Sequence, residues 1–273
     1  MSISTLKQTL SDYRQKKMAL PAFNLDSFLT YQAVEKAVLQ TKLPCIVQLS
    51  SDQDKFLEAE RLFILVKKAQ IDSLPIYLNM DHGQDISRLK KLARLGFDML
   101  HFDSSNLDYS VSITQTADFI RQTKQFAPQI LIEAEFDHIQ KVSFTSPDRA
   151  KQFIDKTRAD LLAVSVGNLH GAGNQPENLD LNLLAQIHSA IPDTFLVMHG
   201  GSGIDPGQLD VAVKSGIVKI NINTDLRHIL KRSLLKSLTS TDSFKAYQFL
   251  SPVVEDLSQT MIQKLHQFTH LKN

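Results

Sequence analysis

Eight short apolar runs alternate with longer segments of helical period along this chain, and no other feature restricts its possible folds as strongly. A parallel neighbour can be reached only by a crossover, so strands that each precede a helix build parallel sheets. The runs predict strands near 19–24, 43–49, 75–81, 97–103, 130–135, 160–166, 194–199 and 217–223. Segments such as LPCIVQLS, PIYLNMD, DLLAVSVG and IVKININ show little polar alternation, as expected of strands covered on both faces. Between them, stretches such as TYQAVEKAVLQ and EAERLFILVKKAQ repeat apolar residues at three and four positions, which marks outer helices. Eight such units in about 225 residues suit an α/β fold of the TIM (β/α)8 barrel type. A doubly wound open sheet is the alternative, but it would normally carry a nucleotide loop, and none is visible in the sequence. TDLRHILKRSLLKSL reads as the last barrel helix, and a helical tail follows from residue 242 or so. Residues 1–273 are expected to form one domain, because 42% hydrophobic content suffices to bury one sizeable core.

Other classes are disfavoured. No apolar run approaches the roughly 18 residues that a spanning helix needs, and the start MSISTLKQTLSDYRQ lacks an apolar signal region. A cytoplasmic protein with no membrane partner is expected. Thirty Lys+Arg against twenty-nine Asp+Glu leave a net charge of +1, too balanced to capture nucleic acid electrostatically, so small molecules are the expected partners. The single Cys45 cannot form an internal disulfide, and its apolar surroundings predict a packing role.

Polar residues gather at the carboxyl ends of the expected strands: Asn24, Ser50, Asp81 with His82, Asp103, Glu135, His170 just past the sixth, His199, and Asn221 to Thr224. Any one of them alone can cap a helix or fix a turn. In a barrel, however, these ends converge on the face where active sites of this fold are built. His82, His170 and His199 are each followed by glycine, which lets the backbone approach a ligand closely. Three imidazoles around an open position make a catalytic zinc arrangement, and neutral ligands leave the cation its full charge for Lewis-acid work. HGGSG after the seventh run and NTD after the eighth offer N–H groups and a helix start to a phosphate. Capping of the next helix by Thr224 or Asp225 is the plainer role for the second of these. His101, two residues before Asp103, lies one layer deeper and reads as a satisfied interior histidine. His138 stays open, and His188, His228, His266 and His270 read as surface residues. Lys219, two residues before Asn221, could also face inward as a Schiff-base nucleophile.

The runs PAFN (21–24), NMDHGQD (79–85), FDS (102–104), IEAEF (132–136), LAVSVGNLHG (162–171), LVMHGGSG (196–203) and KININTDL (219–226) resemble, in order, the class II ketose-bisphosphate aldolases of the fructose- and tagatose-bisphosphate type. The resemblance implies a metal-dependent carbon–carbon lyase that cleaves a ketose (bis)phosphate reversibly to dihydroxyacetone phosphate and an aldehyde. It implies that Asp81 handles the proton on the departing aldehyde oxygen and that His82, His170 and His199 hold the catalytic Zn2+. Asp103 and Glu135 resemble a second metal position, for an alternative placement of the zinc, a second divalent ion or a monovalent cation. Gly171, Gly200 and Ser202, with Asn223 and Thr224, are similar to the phosphate cradle. Asn221 resembles the residue that holds the enediolate, and Asn24 and Ser50 match positions near the second substrate half. A small phosphorylated sugar as partner follows from the same likeness, and the helical tail suggests a homo-oligomer, a homodimer or homotetramer.

Three departures from the family pattern stand out. After Glu135 the family usually has a glycine-rich loop with acidic residues, whereas this chain reads FDHIQKVSFTSPDRA and offers only Asp137 and His138. Asp52 stands where glycine is usual, and Asn223 stands where Asp or Ala is common, which leaves fructose against tagatose open. A sugar-phosphate-binding barrel of the same family, without turnover or with altered specificity, is the competing function, since fold and partial site do not fix activity.

Overall fold

The computed structural model describes residues 4–137, 143–168 and 178–270. Its strands are β1 (Leu20–Asn24), β2 (Cys45–Leu49), β3 (Ile76–Gly83), β4 (Met99–Asp103), β5 (Leu131–Glu135), β6 (Leu161–Ala163), β7 (Phe195–Met198) and β8 (Ile217–Ile222). Each pairs in parallel with the next, and β8 returns to β1 through Leu20↔Lys219 to Phe23↔Ile222, so the sheet is a closed barrel. That closure excludes the open doubly wound sheet. Among the described residues the helices are α1 (Leu6–Gln15), α2 (Phe28–Thr41), α3 (Ser51–Leu57), α4 (Ala59–Ile71), α5 (Ile86–Leu95), α6 (Tyr109–Phe126), α7 (Pro147–Thr157), α8 (Leu181–Ala190), α9 (Pro206–Lys214), α10 (Thr224–Thr239) and α11 (Ala246–Thr269).

The expected strands fall where the ladder forms, with one clear shortening. β6 stops at Ala163 because Ser165 turns to the loop after β5: its N–H donates to Thr145 Oγ1 at 2.9 Å and its hydroxyl to the Ser143 carbonyl at 2.6 Å.

Residue alternation along the strands sorts side chains into two shells, except in β8, where Val218 and Lys219 both face inward beside a slip in its register with β7. Phe23, Val47, Leu78, Leu100, Ile132, Leu162, Leu196 and Ile220 point outward and are buried beneath the helices, and Cys45 joins them with its thiol pushed up by burial. The inward set changes character along the barrel axis. At the amino ends it is apolar, with Leu20, Ile46, Tyr77, Met99, Leu131, Leu161, Phe195 and Val218 packed together. One to four residues further on it is polar: Asn24, Gln48, Asn79, Asp81, His101, Glu133, Glu135, His199, Lys219 and Asn221 are all buried.

Helix α1 closes the apolar end. Its Leu6, Leu10 and Tyr13 pack into the inner cluster, and the Thr5 side chain caps its N-terminus by accepting from the Gln8 N–H. Helix α11, the expected tail, lies against α2 and α10 and buries Val253, Leu257, Met261, Leu265 and Phe268, a spacing of three and four that forms one face of a helix. No helix among the described residues is long and apolar enough to cross a membrane.

Candidate metal centre and active site

The polar layer opens at the carboxyl mouth into a cavity of about 440 Å³ lined by Asn24, Ser50, Asp81, His82, Gly200, Ser202, Asn221, Asn223, Thr224 and Arg227. Eight of the residues expected to bind substrate or catalyse therefore share one pocket with His82, and Asp103, Glu135 and His199 lie in the layer beneath. His170 and Gly171, expected as the third zinc ligand and part of the phosphate cradle, lie outside the described residues, as does His138.

Three imidazoles meet. The ring centroids of His82, His101 and His199 are 4.7 to 4.9 Å apart. One carboxylate oxygen, Glu135 Oε2, sits 3.3 Å from His199 Nδ1, 3.4 Å from His101 Nε2 and 3.7 Å from His82 Nδ1. That oxygen is buried and has no hydrogen-bond partner among the described residues. Ligands about 2.0–2.1 Å from a tetrahedral cation are themselves about 3.3 Å apart. The donor atoms of Asp81, His82, His101 and His199 lie within 4.8 Å of one another, as do those of His82, Asp103 and Glu135, so His82 is common to two groups able to hold a divalent metal such as zinc.

Hydrogen bonds set the ligand faces. His199 Nε2 donates to Glu133 Oε1 at 2.7 Å, which leaves the lone pair of the neutral ring on Nδ1, toward Glu135. Burial pushes the His199 imidazole down to about 3, so it is neutral as a ligand must be. His82 Nδ1 is 2.9 Å from Asp103 Oδ2. Burial would lower the His82 imidazole too, but the charge of Asp81, the bond to Asp103 and the charge of Glu135 outweigh it and push it up to about 10. In the metal-free protein a proton therefore occupies His82, within reach of three carboxylates. Burial together with Asp103, Glu133 and Asp81 drives the Glu135 carboxyl well above its usual range, the mark of a cluster with more negative charge than local cations neutralise.

Asp81 is the ionised carboxylate of the pocket. Burial alone would raise it, but the charges of His82 and Lys219 hold it well below the usual carboxylate range. It accepts from two sides. Asn79 Nδ2 donates to Gln48, Gln48 Nε2 to Asn24, and Asn24 Nδ2 to Asp81 Oδ2, at 2.9, 2.9 and 3.1 Å. From the opposite wall Lys219 Nζ donates to Asn221 Oδ1 at 2.7 Å and Asn221 Nδ2 to Asp81 Oδ1 at 3.1 Å. Lys219 also donates to Glu133 Oε2 at 2.9 Å; it is fully buried and does not line the cavity, which removes it from the place a Schiff-base nucleophile must occupy.

At the other side of the mouth, Gly200 adopts φ +66 and Ser202 Oγ accepts the Asp225 N–H in the first turn of α10 at 3.3 Å. Asn223 precedes that turn; its Oδ1 is buried without a hydrogen-bond partner among the described residues, and its side chain makes no cap. Asp225 instead pairs with Lys264 at 3.1 Å. The plain capping role for Thr224 or Asp225 is therefore not what the side chains do. Asp52 faces solvent and pairs with Lys55, so its charge stays out of the cavity. Asp137 pairs with Arg149 at 3.3 Å.

Several functional side chains escape the sequence-based expectation. Glu133 orients His199, Gln48 and Gln53 support Asn24, and Arg227 lines the cavity while paired to Asp26 at 3.1 Å. Spacing carried a signal for two of them: Glu133 is two residues before Glu135 on one strand, and Arg227 is three after Thr224 on one helix.

Comparison with known proteins converges on one family. The family model described as fructose-bisphosphate aldolase class-II matches residues 4–272. A fructose-bisphosphate aldolase of Mycoplasma pneumoniae is 30% identical over 233 residues, covering 81% of this chain and 79% of its own. One of Giardia intestinalis is 27% identical and covers 98% of this chain and 93% of its own. Among solved structures, the YdjI aldolase of Escherichia coli K12 shares the fold with a TM-score of 0.86 at 24% identity, over 97% of each chain.

Proposed function

This chain belongs to the class II fructose-bisphosphate aldolase family, and from that premise we propose that it cleaves a ketose (bis)phosphate reversibly to dihydroxyacetone phosphate and an aldehyde, using a zinc ion held at the barrel mouth. It is an aldolase, a carbon–carbon lyase. The observation that carries the metal reading is the approach of the His82 and His199 imidazole nitrogens to Glu135 Oε2, beside the ionised Asp81.

His82 and His199, with His170 as the third imidazole, hold the cation; Glu135 and Asp103 serve a second or alternative position, for zinc, another divalent ion or a monovalent cation. Bound there, zinc supplies Lewis-acid polarisation of the ketose carbonyl and hydroxyl oxygens. Asp81 accepts the proton of the hydroxyl whose carbon–carbon bond breaks, and returns it to the aldehyde oxygen in condensation. Its ionised state, kept by donors on both sides, suits the first of these tasks. Asn221 donates toward the developing enediolate, and Asn24 with Ser50 faces the aldehyde half. Gly171, Gly200, Ser202, Asn223 and Thr224 cradle the triose phosphate at the start of α10, where N–H groups favour an anion.

The test is an assay that couples triose-phosphate release to a dehydrogenase, run on chelated and zinc-reloaded protein with fructose and tagatose phosphates. Cleavage by the reloaded wild type, absent after chelation and in Asp81→Ala, supports the reading. Activity that survives chelation, or a borohydride-trapped adduct on Lys219, rejects it. One observation favours the binding-module alternative: Asp137 is engaged by Arg149, so the short loop after β5 offers no carboxylate to the mouth among the described residues. Zinc binding without cleavage of any ketose phosphate would select that alternative.

A further inference from the structure

His101 has no part in the chemistry above, yet it is fully buried at its centre, with its ring 4.7 Å from that of His82 and 4.9 Å from that of His199. Its environment differs from that of a simple core histidine. Nδ1 receives the main-chain N–H of His82 at 3.0 Å. The same N–H lies at a break in the sheet: β3 pairs with β4 at Met80↔Leu100 and again at Gly83↔Phe102, and the register slips between them. In that interval His82 takes φ +50, the left-handed region that a residue with a side chain rarely occupies. Such a conformation persists only where its surroundings over-determine it, and a buried N–H demands an acceptor. His101 Nδ1 meets that demand.

The accepted bond also fixes the tautomer. An Nδ1 that accepts carries no proton, so the neutral ring bears it on Nε2, which faces Glu135 Oε2 at 3.4 Å. The 3.5 Å approach of Nδ1 to Asp81 Oδ1 would need the opposite tautomer and is the longer of the two contacts. Although the donor atoms of Asp81, His82, His101 and His199 all lie within 4.8 Å of one another, the His101 lone pair points at the backbone and away from any shared cation.

We propose that His101 is a positioning residue: through Nδ1 it holds the His82 main chain in its left-handed turn and so aims the His82 imidazole at the metal position, without itself being a ligand. The proposal rests on the metal reading given above.

Asparagine and glutamine separate the two nitrogens. The amide oxygen of His101→Asn reaches roughly where Nδ1 sits and can accept from His82, whereas His101→Gln carries its polar end out to the region of Nε2. The measurement is zinc affinity of the full-length protein by chelator competition, with the absorption spectrum of the cobalt-substituted protein and the melting temperature of the metal-free form. A positioning role predicts that the Asn variant binds within about threefold of wild type with an unchanged cobalt spectrum, while the Gln and Leu variants lose about tenfold or more. The reverse order, with Gln retained and Asn lost, overturns the proposal in favour of ligation. Equal binding by all variants overturns it, and so does equal loss in Asn and Gln with a matching drop in metal-free melting temperature. Wild-type protein that binds no zinc would instead sink the metal reading itself, and this proposal with it.

Discussion

The Nε2 of His199 donates to Oε1 of Glu133 at 2.7 Å, and the other oxygen of the same carboxylate receives the ammonium of Lys219 at 2.9 Å. One buried group thereby orients a proposed metal ligand and neutralises a buried cation. Glu133→Gln keeps an oxygen for one of these tasks and presents an amide N–H to the other. The expected result is a loss of zinc affinity of about 10–100-fold, the usual cost of removing the partner of a ligating histidine. A loss of stability of about 3 kcal/mol should accompany it, from a buried charge left unpaired. Chelator competition and urea unfolding measure the two; unchanged affinity would mean that packing alone orients His199.

Asp81→Asn should lower kcat by about 10²–10⁴ while the zinc content stays near that of wild type, since a proton acceptor is removed and the proposed ligands are kept. A variant that loses zinc in proportion to activity would assign Asp81 to the metal instead.

Much of this was legible in the sequence because the barrel repeats its own grammar. Each strand is short, apolar and followed by an amphipathic segment, and each carboxyl end carries a polar residue, so Asn24, Asp81, His82 and Asn221 could be placed in one pocket before any coordinates. Glu133 and Gln48 were harder to see. They sit one layer below the mouth, and a strand with a polar residue on its inward face still reads as apolar when its outward neighbours are Ile132, Ala134, Val47 and Leu49. The role of His101 could not be read at all, because it depends on a register slip in the next strand, and slips leave no residue signature. Asp52 shows the converse: its type suggested a charge near the phosphate, but its place on the solvent side of α3 removes it.

The metal-free protein should lose stability as pH rises from about 6.5 to about 10 through His82. The sign follows from the raised folded-state value: the proton is bound more tightly in the folded protein, so its contribution is complete below the unfolded value and is lost as pH passes the folded one. His199 acts in the opposite sense, since its lowered value makes the folded state lose stability as pH falls from about 6.5 toward about 3. Urea midpoints of chelated protein across this range, with His82→Asn as comparator, measure the alkaline limb. Saturating zinc should flatten it, because a ligand imidazole carries no proton; an equal slope in wild type and His82→Asn would refute the assignment.

Gly201→Ala should raise KM for phosphorylated substrates about tenfold with a smaller effect on kcat, as expected when binding contacts common to ground and transition states are lost. A Cβ at this position would stand 2.4 Å from Cγ2 of Ile220 and 3.2 Å from the Asn221 carbonyl oxygen. The loop carrying Gly200 and Ser202 must then move away from β8 and the start of α10. Steady-state kinetics with phosphorylated and unphosphorylated ketoses checks this; equal effects on both would place the phosphate elsewhere.

Leu10→Ala should destabilise the protein by about 2–5 kcal/mol and leave the kinetics of the folded enzyme unchanged. Its side chain fills the inner cluster beneath the barrel, away from the polar layer. Denaturant unfolding measures the first effect, and kcat/KM at low temperature the second.

The donors that lead to Asp81 have a sense of direction. From Asn79 through Gln48 and Asn24, and from Lys219 through Asn221, each side chain turns an N–H along a chain that ends on the same carboxylate, while Lys219 also donates to Glu133 and Asn24 to Gln53. The resting group there is thereby favoured as a carboxylate over the neutral acid, because each of its oxygens already faces an amide donor. The staves of the barrel, and not its lids, thus decide in advance where negative charge resides. All of these donors stand on β1, β2, β3 and β8, so the wiring does not draw on the mouth loops, the one after Glu135 included.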